Sequence, residues 1–293
     1  MDYSDLSICV PAYNEQEAAV KTLKRLRRNF PQAEILFVDD GSTDDTLAEA
    51  NTVDGVKVLA HDRNIGYGAA IKTAMRNSTR KVVAWYDADG QHRARDLQKV
   101  ADPVLDGEKD AVIGARTRTS AVTRNRLAGK WTLTFIAELI ARHKIPDLNS
   151  GLRCFRRDVI MRYLHLLPDG FSASTTSTIL MVKRGYRIGY EDIIAVARKG
   201  SSSVRIVSDG LKAIQLMLRL LILFEAFGFF TLLSMLQIIP GLLYGIIVAV
   251  RQKQGFPVLA ATIIIAGVLT FFMGLLCDQV VALRKERFES KTQ

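Results

Sequence analysis

Before residue 225, apolar runs of strand length alternate with segments of mixed polarity that are long enough for helices. Such runs, when bounded by turn residues, are typical of strands. The runs are Leu6–Val10, Glu34–Val38, Val56–Leu59, Val82–Tyr86 and Ala111–Arg116. Strands that alternate with helices form a mostly parallel sheet covered on both faces. The pattern therefore predicts a Rossmann-like α/β fold for this part of the chain.

Two long stretches without charge follow, Ala226–Val250 and Phe256–Cys277. A helix needs about 20 apolar residues to cross the hydrocarbon core of a bilayer, so each stretch is long enough to be a transmembrane helix. A pair of buried core helices is the alternative. Just before them, Asp209–Phe224 has its polar residues at helical spacing among apolar ones. This spacing predicts an amphipathic helix that lies in the membrane interface.

The pattern divides the chain into four parts. They are a cytosolic α/β domain at 1–208, a juxtamembrane helix at 209–224, a two-helix transmembrane anchor at 225–283 and a cytosolic tail at 284–293. Lys and Arg are more frequent before the first span and after the second than in the turn at 251–255, and such an excess marks the cytosolic side. The N-terminal residues also lack the features of a signal peptide. We therefore expect an integral protein of the cytoplasmic membrane, with both termini in the cytosol.

The 293 residues include 40 Lys and Arg against 30 Asp and Glu, which gives a net charge of +10. Nucleic acid is one partner for such a charge, but an anionic membrane surface suits a chain with spanning helices better. We therefore expect a membrane partner and no nucleic acid. Three scattered cysteines, Cys9, Cys154 and Cys277, have no spacing for a metal site or a disulfide framework, which fits a reducing compartment.

The stretch Val82–His92 carries the clearest candidate chemistry. Its apolar run ends in two carboxylates, Asp87 and Asp89, and then in the turn residue Gly90. Mg²⁺ prefers oxygen ligands and is usually held by one or two carboxylates together with substrate phosphates, and Mn²⁺ has similar preferences. Open α/β folds bind their ligands at the carboxyl ends of the strands. The motif therefore predicts a divalent-metal site, and a simple Asp-rich turn is the alternative.

The sequence contains no standard phosphate-binding loop. Gly66 and Gly68 begin a dinucleotide-type pattern, but Ile71 stands where the third glycine would be, and no G-x-x-x-x-G-K-[ST] segment occurs. Nucleotide binding would then need an aspartate at a strand end for the base or ribose, and a metal for the pyrophosphate. Asp39 and Asp40 end the second predicted strand and are the candidates for the first role.

Positive charge collects at three places after the metal motif. Arg116 ends a predicted strand, next to the expected metal edge. A basic stretch follows, with Arg118, Arg124, Arg126 and Lys130. The third place is Ala197–Arg205, which contains Arg198, Ser201 and Arg205. The alternatives are a solvated helix face for the second place and a juxtamembrane segment that holds anionic lipid for the third.

Four segments carry a family resemblance. They are VPAYNE at 10–15, VDDGSTDDT at 38–46, NIGYGAA at 64–70 and DADGQH at 87–92. In order and spacing they resemble the signature series of family 2 glycosyltransferases with the GT-A fold. The closer likeness is to the polyprenyl-phosphate branch, which includes dolichyl-phosphate mannosyltransferase and bacterial undecaprenyl-phosphate glycosyltransferases. Two predicted membrane spans after this series agree with that branch.

The resemblance implies roles for the candidate residues. Nucleoside contacts are implied for Pro11, Tyr13, Glu15, Asp39, Asp40 and Asp87. A metal on the diphosphate would be held by Asp87, Asp89 and Gln91. The segment at 147–153 is similar to the family's D-x-x-S-G-[FL]-[RK], which implies that Asp147 contacts a sugar hydroxyl or orders the site. The implied catalytic set is Asp87, Asp89, Asp147 and Arg116.

The helix predicted over Gly170–Gly185 has Ser and Thr at 174–178, where many enzymes of this fold carry an acidic base. This departure argues against an alcohol acceptor. A phosphate monoester has a second pKa of about 6, so it is charged at neutral pH and attacks without a base. It needs cations to place it, and 197–205 resembles the family's R-x-G-x-S-K/R element. The implied acceptor contacts are Arg116, Arg124, Arg126, Arg198, Ser201 and Arg205.

Together these expectations describe a glycosyltransferase assisted by Mg²⁺ or Mn²⁺. It would transfer a sugar from a UDP- or GDP-linked donor to a polyprenyl phosphate, with inversion at the anomeric carbon. One alternative is a polysaccharide or glycolipid synthase with a hydroxyl acceptor, although the sequence lacks the Q-x-x-R-W motif and the additional spans of such enzymes. Another is an inactive nucleotide-sugar-binding membrane protein. The sequence leaves the oligomeric state open, and a homo-oligomer is one alternative because short two-span bundles often associate.

Overall fold

The computed structural model describes residues 2–117, 137–138, 143–194, 206–252 and 255–289. These residues form two compact units, Met1–Ile206 and Val207–Gln293. The first unit contains β1 (Leu6–Ala12), β2 (Glu34–Asp39), β3 (Val56–Ala60), β4 (Val82–Trp85), β5 (Ala111–Arg116), β6 (Arg153–Arg156) and β7 (Ile188–Ile193). All five predicted strands are confirmed, and their ends agree with the prediction to within two residues.

The seven strands form one sheet in the order β3-β2-β1-β4-β6-β5-β7. All neighbouring strands are parallel except for β6, which runs antiparallel to both β4 and β5. The prediction of a mostly parallel sheet is therefore confirmed, while the reversed strand β6 was not predicted. Its direction matters for the site, because the loop that leads into β6 arrives at the edge where the parallel strands end.

Helices cover both faces of this sheet. They are α1 (Gln16–Asn29), α2 (Thr46–Ala50), α3 (Tyr67–Asn77), α4 (Ala94–Leu105), α5 (Arg157–Arg162) and α6 (Ala173–Lys183), with a 3₁₀ turn at Leu164–Leu166. Leu23 of α1 and Leu97 of α4 are fully buried in one core cluster with Ile8 of β1. Met75 of α3 is buried as well, and its sulfur accepts a hydrogen bond from Trp85 Nε1 at 3.2 Å. This two-sided covering is what the alternation of strands and helices predicts.

Pro11 lies inside β1, which continues two residues beyond the predicted strand Leu6–Val10. Its Cα is opposite that of Val38 in β2, whereas pairing of β1 with β4 extends only to Cys9. Proline has no N–H to donate, so it is tolerated in a strand only where a ladder bond is not required. The end of the β4 pairing provides such a position.

The second unit consists of two long helices, α7 (Ile206–Gln252) and α8 (Val258–Glu289). Within them, Phe224–Arg251 and Val258–Leu283 are long enough to cross a membrane and have mean hydropathies of 2.1 and 2.4. Only 17% of each apolar window is buried, which does not fit the alternative of core helices in a soluble protein. Two helices that are long and apolar enough to span a membrane were therefore predicted correctly.

Residues 209–224 are helical, as predicted, and a break in the helical backbone separates them from the first span. The backbone of Glu225 departs from helical geometry, with φ −141° and ψ 36°, at the boundary that the charge pattern indicates. The interfacial position of 209–224 stays a prediction. The two spans pack closely where they have glycine, since a Cβ at Gly274 would lie 2.4 Å from the Cβ of Phe230.

Candidate active site

The carboxyl ends of β1, β2 and β4 meet at one edge of the sheet, because these neighbouring strands are parallel. Antiparallel β6 begins at the same edge, since Arg153 lies opposite Trp85, the last residue of β4. The loop before β6 is therefore next to the residues that follow β4. Open α/β folds bind ligands at such an edge, and Asp39, Asp87 and Asp147 all lie there.

The turn that follows β4 is fixed through its backbone. Thr22 Oγ1 of α1 donates a hydrogen bond to the carbonyl of Ala88 at 3.2 Å. Tyr86 OH donates to the carbonyl of His92 at 2.5 Å. A helix and a buried phenol thus hold the turn at both ends, which limits where its two carboxylates can point.

Asp89 and Gln91 lie together in this turn. The Asp89 carboxylate accepts a hydrogen bond from the backbone N–H of Gln91 at 3.0 Å. Gly90 between them has a φ of 75°, a left-handed conformation that glycine adopts without strain. Both side chains are partly exposed, so both are available to a ligand at the sheet edge.

Three elements surround the Asp87 carboxylate. Tyr67 OH of α3 donates to Asp87 Oδ1 at 3.0 Å, and His92 Nε2 lies 3.6 Å from Oδ2. On a third side is the backbone of Gly151, where an added Cβ would lie 1.8 Å from Oδ2. Position 151 therefore accepts only glycine while the carboxylate keeps its place.

Asp87 is set up as an ionised carboxylate. Burial raises its pKa, but hydrogen bonding and charge from His92, the hydrogen bond from Tyr67 and the charge of Arg153 together outweigh burial, so the pKa is lowered from its ordinary value. The carboxylate therefore keeps its negative charge to a lower pH than an ordinary aspartate does. An ionised oxygen ligand is what a divalent cation requires.

The donor set fits a cation that shares its ligands with a substrate. In the part of the chain that the structure describes, no group of three or more His, Cys, Asp and Glu side chains is arranged to hold a metal. Asp87 and Asp89 supply two hard oxygen ligands, and the amide of Gln91 is beside them. Mg²⁺ commonly keeps several waters and binds through one or two carboxylates plus phosphates, so this open arrangement suits it.

Tyr67 links the metal turn to an exposed aromatic residue. Its ring is stacked on Phe171 at 5.5 Å and 17°, and the side chain of Phe171 is 83% exposed. Gly66 and Gly68 allow the backbone at 168–170 to approach, because a Cβ at either position would come within 2.5 Å of a carbonyl oxygen there. The glycines that resemble a nucleotide fingerprint thus have a packing function.

Arg116 and Asp147 form an ion pair, although the sequence analysis gave them separate roles, the acceptor phosphate for Arg116 and a sugar hydroxyl or ordering of the site for Asp147. Arg116 Nε donates to Asp147 Oδ2 at 2.6 Å and Nη2 donates to Oδ1 at 2.9 Å, while Asp147 is buried. This hydrogen bonding raises the pKa of Arg116, and the charges of Asp87 and Asp89 raise it further. The guanidinium is therefore a fixed cation close to both metal-turn carboxylates. For Asp147, the geometry favours ordering of the site over contact with a sugar hydroxyl.

Arg153 is fully buried behind the site and was missed as a functional residue. Its guanidinium donates to the carbonyl of Ser150, to the carbonyl of Ser174 at 2.6 Å, to Ser177 Oγ at 2.8 Å and to Thr178 Oγ1 at 3.1 Å. Burial lowers its pKa to about 10, so it remains charged at neutral pH. A buried cation is tolerated only when its donors are satisfied.

The Ser/Thr-rich start of α6 therefore has a structural cause. Residues 174–178 are buried, and Ser174, Ser177 and Thr178 surround the Arg153 guanidinium. Thr175 donates instead to Asn149 Oδ1 at 2.8 Å. The sequence analysis took these Ser and Thr residues as replacements for an acidic base, and that explanation of the segment is corrected accordingly. Its composition is explained by a buried arginine, and the case for a phosphate acceptor rests on the cations.

The nucleoside candidates lie at the ends of β1 and β2. Tyr13 is 43% exposed and follows β1 directly. Asn14 has a φ of 52° and its side-chain oxygen accepts from the backbone N–H of Thr43 at 2.9 Å. The N–H of Glu15 donates to Thr46 Oγ1 at 2.9 Å. These bonds join the two segments, 10–15 and 38–46, into one surface beside the metal turn.

The two neighbouring aspartates have different surroundings. Asp39 is buried and accepts from the backbone N–H of Ser42 at 3.0 Å. Asp40 accepts from Ile65 N–H at 3.0 Å, from Gly66 N–H at 2.8 Å and contacts His61 Nδ1 at 2.7 Å. The carboxylate of Asp40 thus holds the loop that begins α3, and its predicted contact with the nucleoside stays a prediction.

The remaining candidate residues lie outside the described part of the chain. They are Arg118, Arg124, Arg126 and Lys130 in the first basic stretch, and Arg198, Ser201 and Arg205 in the second. Of the predicted acceptor contacts, Arg116 is the one that the described structure places at the site.

Two family models match this chain. The first, described as glycosyl transferase family 2, covers residues 7–164. The second, described as the GtrB C-terminal hairpin, covers residues 228–283. The first match contains the whole metal turn and the Arg116–Asp147 pair, and the second contains most of both long apolar helices.

Similar curated proteins act on polyprenyl phosphates according to their names. The chain is 31% identical to UDP-N-acetylglucosamine–dolichyl-phosphate N-acetylglucosaminyltransferase of Methanococcus voltae, over 52% of this chain and 70% of that protein. It is 30% identical to undecaprenyl-phosphate mannosyltransferase of Micrococcus luteus, over 65% of this chain and 83% of that protein.

A solved structure supports the fold. Glucosyl-3-phosphoglycerate synthase from Mycobacterium tuberculosis, in complex with Mg²⁺ and UDP, superposes with a TM-score of 0.60. Identity is 19%, and the match covers 74% of this chain and 78% of that one. The same enzyme is also known with Mn²⁺ and UDP. The predicted GT-A type of α/β fold is thereby confirmed.

Proposed function

Because this chain belongs to glycosyl transferase family 2, we propose that it transfers one sugar from a nucleotide sugar to a membrane polyprenyl phosphate. The observation that carries the proposal is the arrangement at the sheet edge. Asp87 and Asp89 follow β4 beside the fixed cation of Arg116, and the chain continues into two apolar helices. The names of the similar proteins from M. voltae and M. luteus support the same class of acceptor.

The residues of the metal turn would hold the donor through a divalent cation. Asp87 and Asp89, with Gln91, are its proposed ligands. When bound, Mg²⁺ or Mn²⁺ would act as a Lewis acid that neutralises charge on the departing nucleoside diphosphate. The exposed ring of Tyr13 and the carboxylates of Asp39 and Asp40 are the proposed contacts to the nucleoside. The donor would be a UDP- or GDP-linked sugar.

The acceptor phosphate would be placed by cations. Arg116 keeps its charge and its direction because Asp147 binds it through two nitrogens. A phosphate oxygen then attacks the anomeric carbon, the bond from that carbon to the diphosphate breaks, and the configuration inverts. The phosphate dianion needs no base, so catalysis consists mainly of alignment and charge stabilisation. Arg124, Arg126, Arg198, Ser201 and Arg205 are proposed as further contacts.

The choice between a phosphate and a hydroxyl acceptor is directly testable. Transfer to undecaprenyl phosphate and to undecaprenol should be compared in the same detergent with the same radiolabelled donor. We expect the alcohol to react at least about a hundredfold more slowly, because a general base contributes about 10²–10⁴-fold to such a reaction. Comparable rates with both lipids would favour a glycolipid synthase with a hydroxyl acceptor.

We propose that the first unit and both termini lie in the cytosol, which the excess of Lys and Arg outside the 251–255 turn supports. The test replaces Cys277 with serine and introduces either Lys253→Cys or Gln293→Cys. A membrane-impermeant maleimide added to intact cells should label the cysteine in the turn and leave the one at the terminus unlabelled. The reverse labelling pattern would overturn the proposed orientation.

A further inference from the structure

His92 is buried beside the metal turn, and no step of the proposed reaction uses it. Its side chain is 4% exposed, and Nε2 lies 3.6 Å from Asp87 Oδ2. The other ring nitrogen, Nδ1, is buried and has no hydrogen-bond partner among the residues that the structure describes. A buried polar atom without a partner costs free energy, so an explanation is needed for keeping a histidine at this position.

Packing alone does not require an imidazole here. The ring contacts Tyr86 edge-on, with centroids 5.7 Å apart and an interplanar angle of 67°. An apolar side chain of similar size would fill this space without a buried, unpaired nitrogen. The backbone carbonyl of His92, which accepts the bond from Tyr86 OH, would be the same for any residue. What only the imidazole adds is a nitrogen directed at Asp87.

The two oxygens of Asp87 have different neighbours. Oδ1 is held by Tyr67, whereas Oδ2 lies between His92 and the backbone of Gly151. Gly151 limits the movement of Oδ2 sterically but donates no side-chain hydrogen bond. Without a donor on this side, the carboxylate would be free to rotate about its bond to Tyr67.

We propose that His92 is a positioning residue that orients Asp87 for the divalent cation, with Nε2–H directed at Oδ2. The inference rests on the proposed metal-assisted transfer. Groups that orient metal-binding carboxylates typically account for about 10–100-fold in metal affinity or activity. His92 would act through Asp87 and would not touch the substrate.

The test measures the affinity for Mn²⁺ directly, by electron paramagnetic resonance of the full-length protein with saturating UDP. His92→Leu should weaken Mn²⁺ binding by about 10–100-fold. His92→Gln should bind Mn²⁺ almost as well as the wild type, because its amide nitrogen can take the place of Nε2 as a donor. His165→Leu, which removes an exposed imidazole, is the matched control and should have no effect.

Thermal unfolding and UDP binding without metal show whether the variants keep the fold. Mn²⁺ affinity of His92→Leu equal to that of the wild type would overturn the inference. Equal losses in His92→Gln and His92→Leu would also overturn it, since the ring would then act by packing. A wild-type protein that transfers sugar without binding Mn²⁺ would overturn the metal assignment itself and His92 with it, while leaving the acceptor assignment intact.

Discussion

An Asp89→Asn variant should transfer sugar about a thousandfold more slowly than the wild type, which corresponds to about 4 kcal/mol of lost transition-state stabilisation. Asparagine has the same shape, and its side-chain oxygen can still accept the bond from Gln91 N–H that shapes the turn. What it lacks is the negative charge that holds a divalent cation. The measurement is the initial rate with a radiolabelled nucleotide sugar at saturating Mn²⁺.

The matched control is Asp158→Asn, which removes a carboxylate that pairs with Arg156 at 2.8 Å on the surface. This variant should keep wild-type activity. Asp89→Asn should also remain folded and bound to membranes. Wild-type rates in Asp89→Asn, or full wild-type activity in the presence of a chelator, would remove the metal from the mechanism.

A single methyl group at position 151 should also inactivate the enzyme. In Gly151→Ala the new Cβ would lie 1.8 Å from Asp87 Oδ2 and 2.5 Å from its Cγ, distances that atoms cannot adopt. The carboxylate must therefore leave the position in which it accepts the bond from Tyr67. A displacement of about 1 Å in an active site can cost about 10²-fold in rate, so we expect a loss of at least that size.

Gly170→Ala provides the comparison, because a Cβ there has no heavy atom within 4 Å. It adds the same methyl group close to the site and should leave the rate unchanged. Thermal unfolding of both variants separates displacement of Asp87 from loss of the fold. A folded Gly151→Ala protein with the wild-type rate would show that Asp87 does not need its present position.

Strands β1 to β5 were predictable because their signal is local, whereas β7, which is parallel to β5, was not predicted. Each of the runs that became β1 to β5 is apolar and ends in turn residues, so the alternation with helices could be read directly. Strand β6 is different, since Arg153–Arg156 is short and has an arginine at each end. Only its pairing with β4 and β5 makes it a strand, and pairing between distant segments leaves no periodic signal in the sequence.

The site was predictable in its carboxylates and less so in the residues that support them. Asp87 and Asp89 stand out because charge follows an apolar strand. Tyr67 and Arg153 act through contacts with residues far away in the sequence, Asp87 for the tyrosine and the start of α6 for the arginine. The Ser and Thr residues at 174–178 were a visible signal of this kind, but their meaning depends on knowing that Arg153 is buried among them.

The mass of the lipid product shows whether this enzyme transfers one sugar to a polyprenyl phosphate. Purified protein should be incubated with Mg²⁺, undecaprenyl phosphate and a panel of UDP- and GDP-linked sugars, followed by mass spectrometry of the lipid fraction. With one or a few of these donors, the lipid should gain the mass of a single sugar residue and keep one phosphate, with release of one nucleoside diphosphate per product. A product with two phosphates, or unchanged lipid phosphate with every donor while a hydroxyl acceptor is glycosylated, would contradict the account.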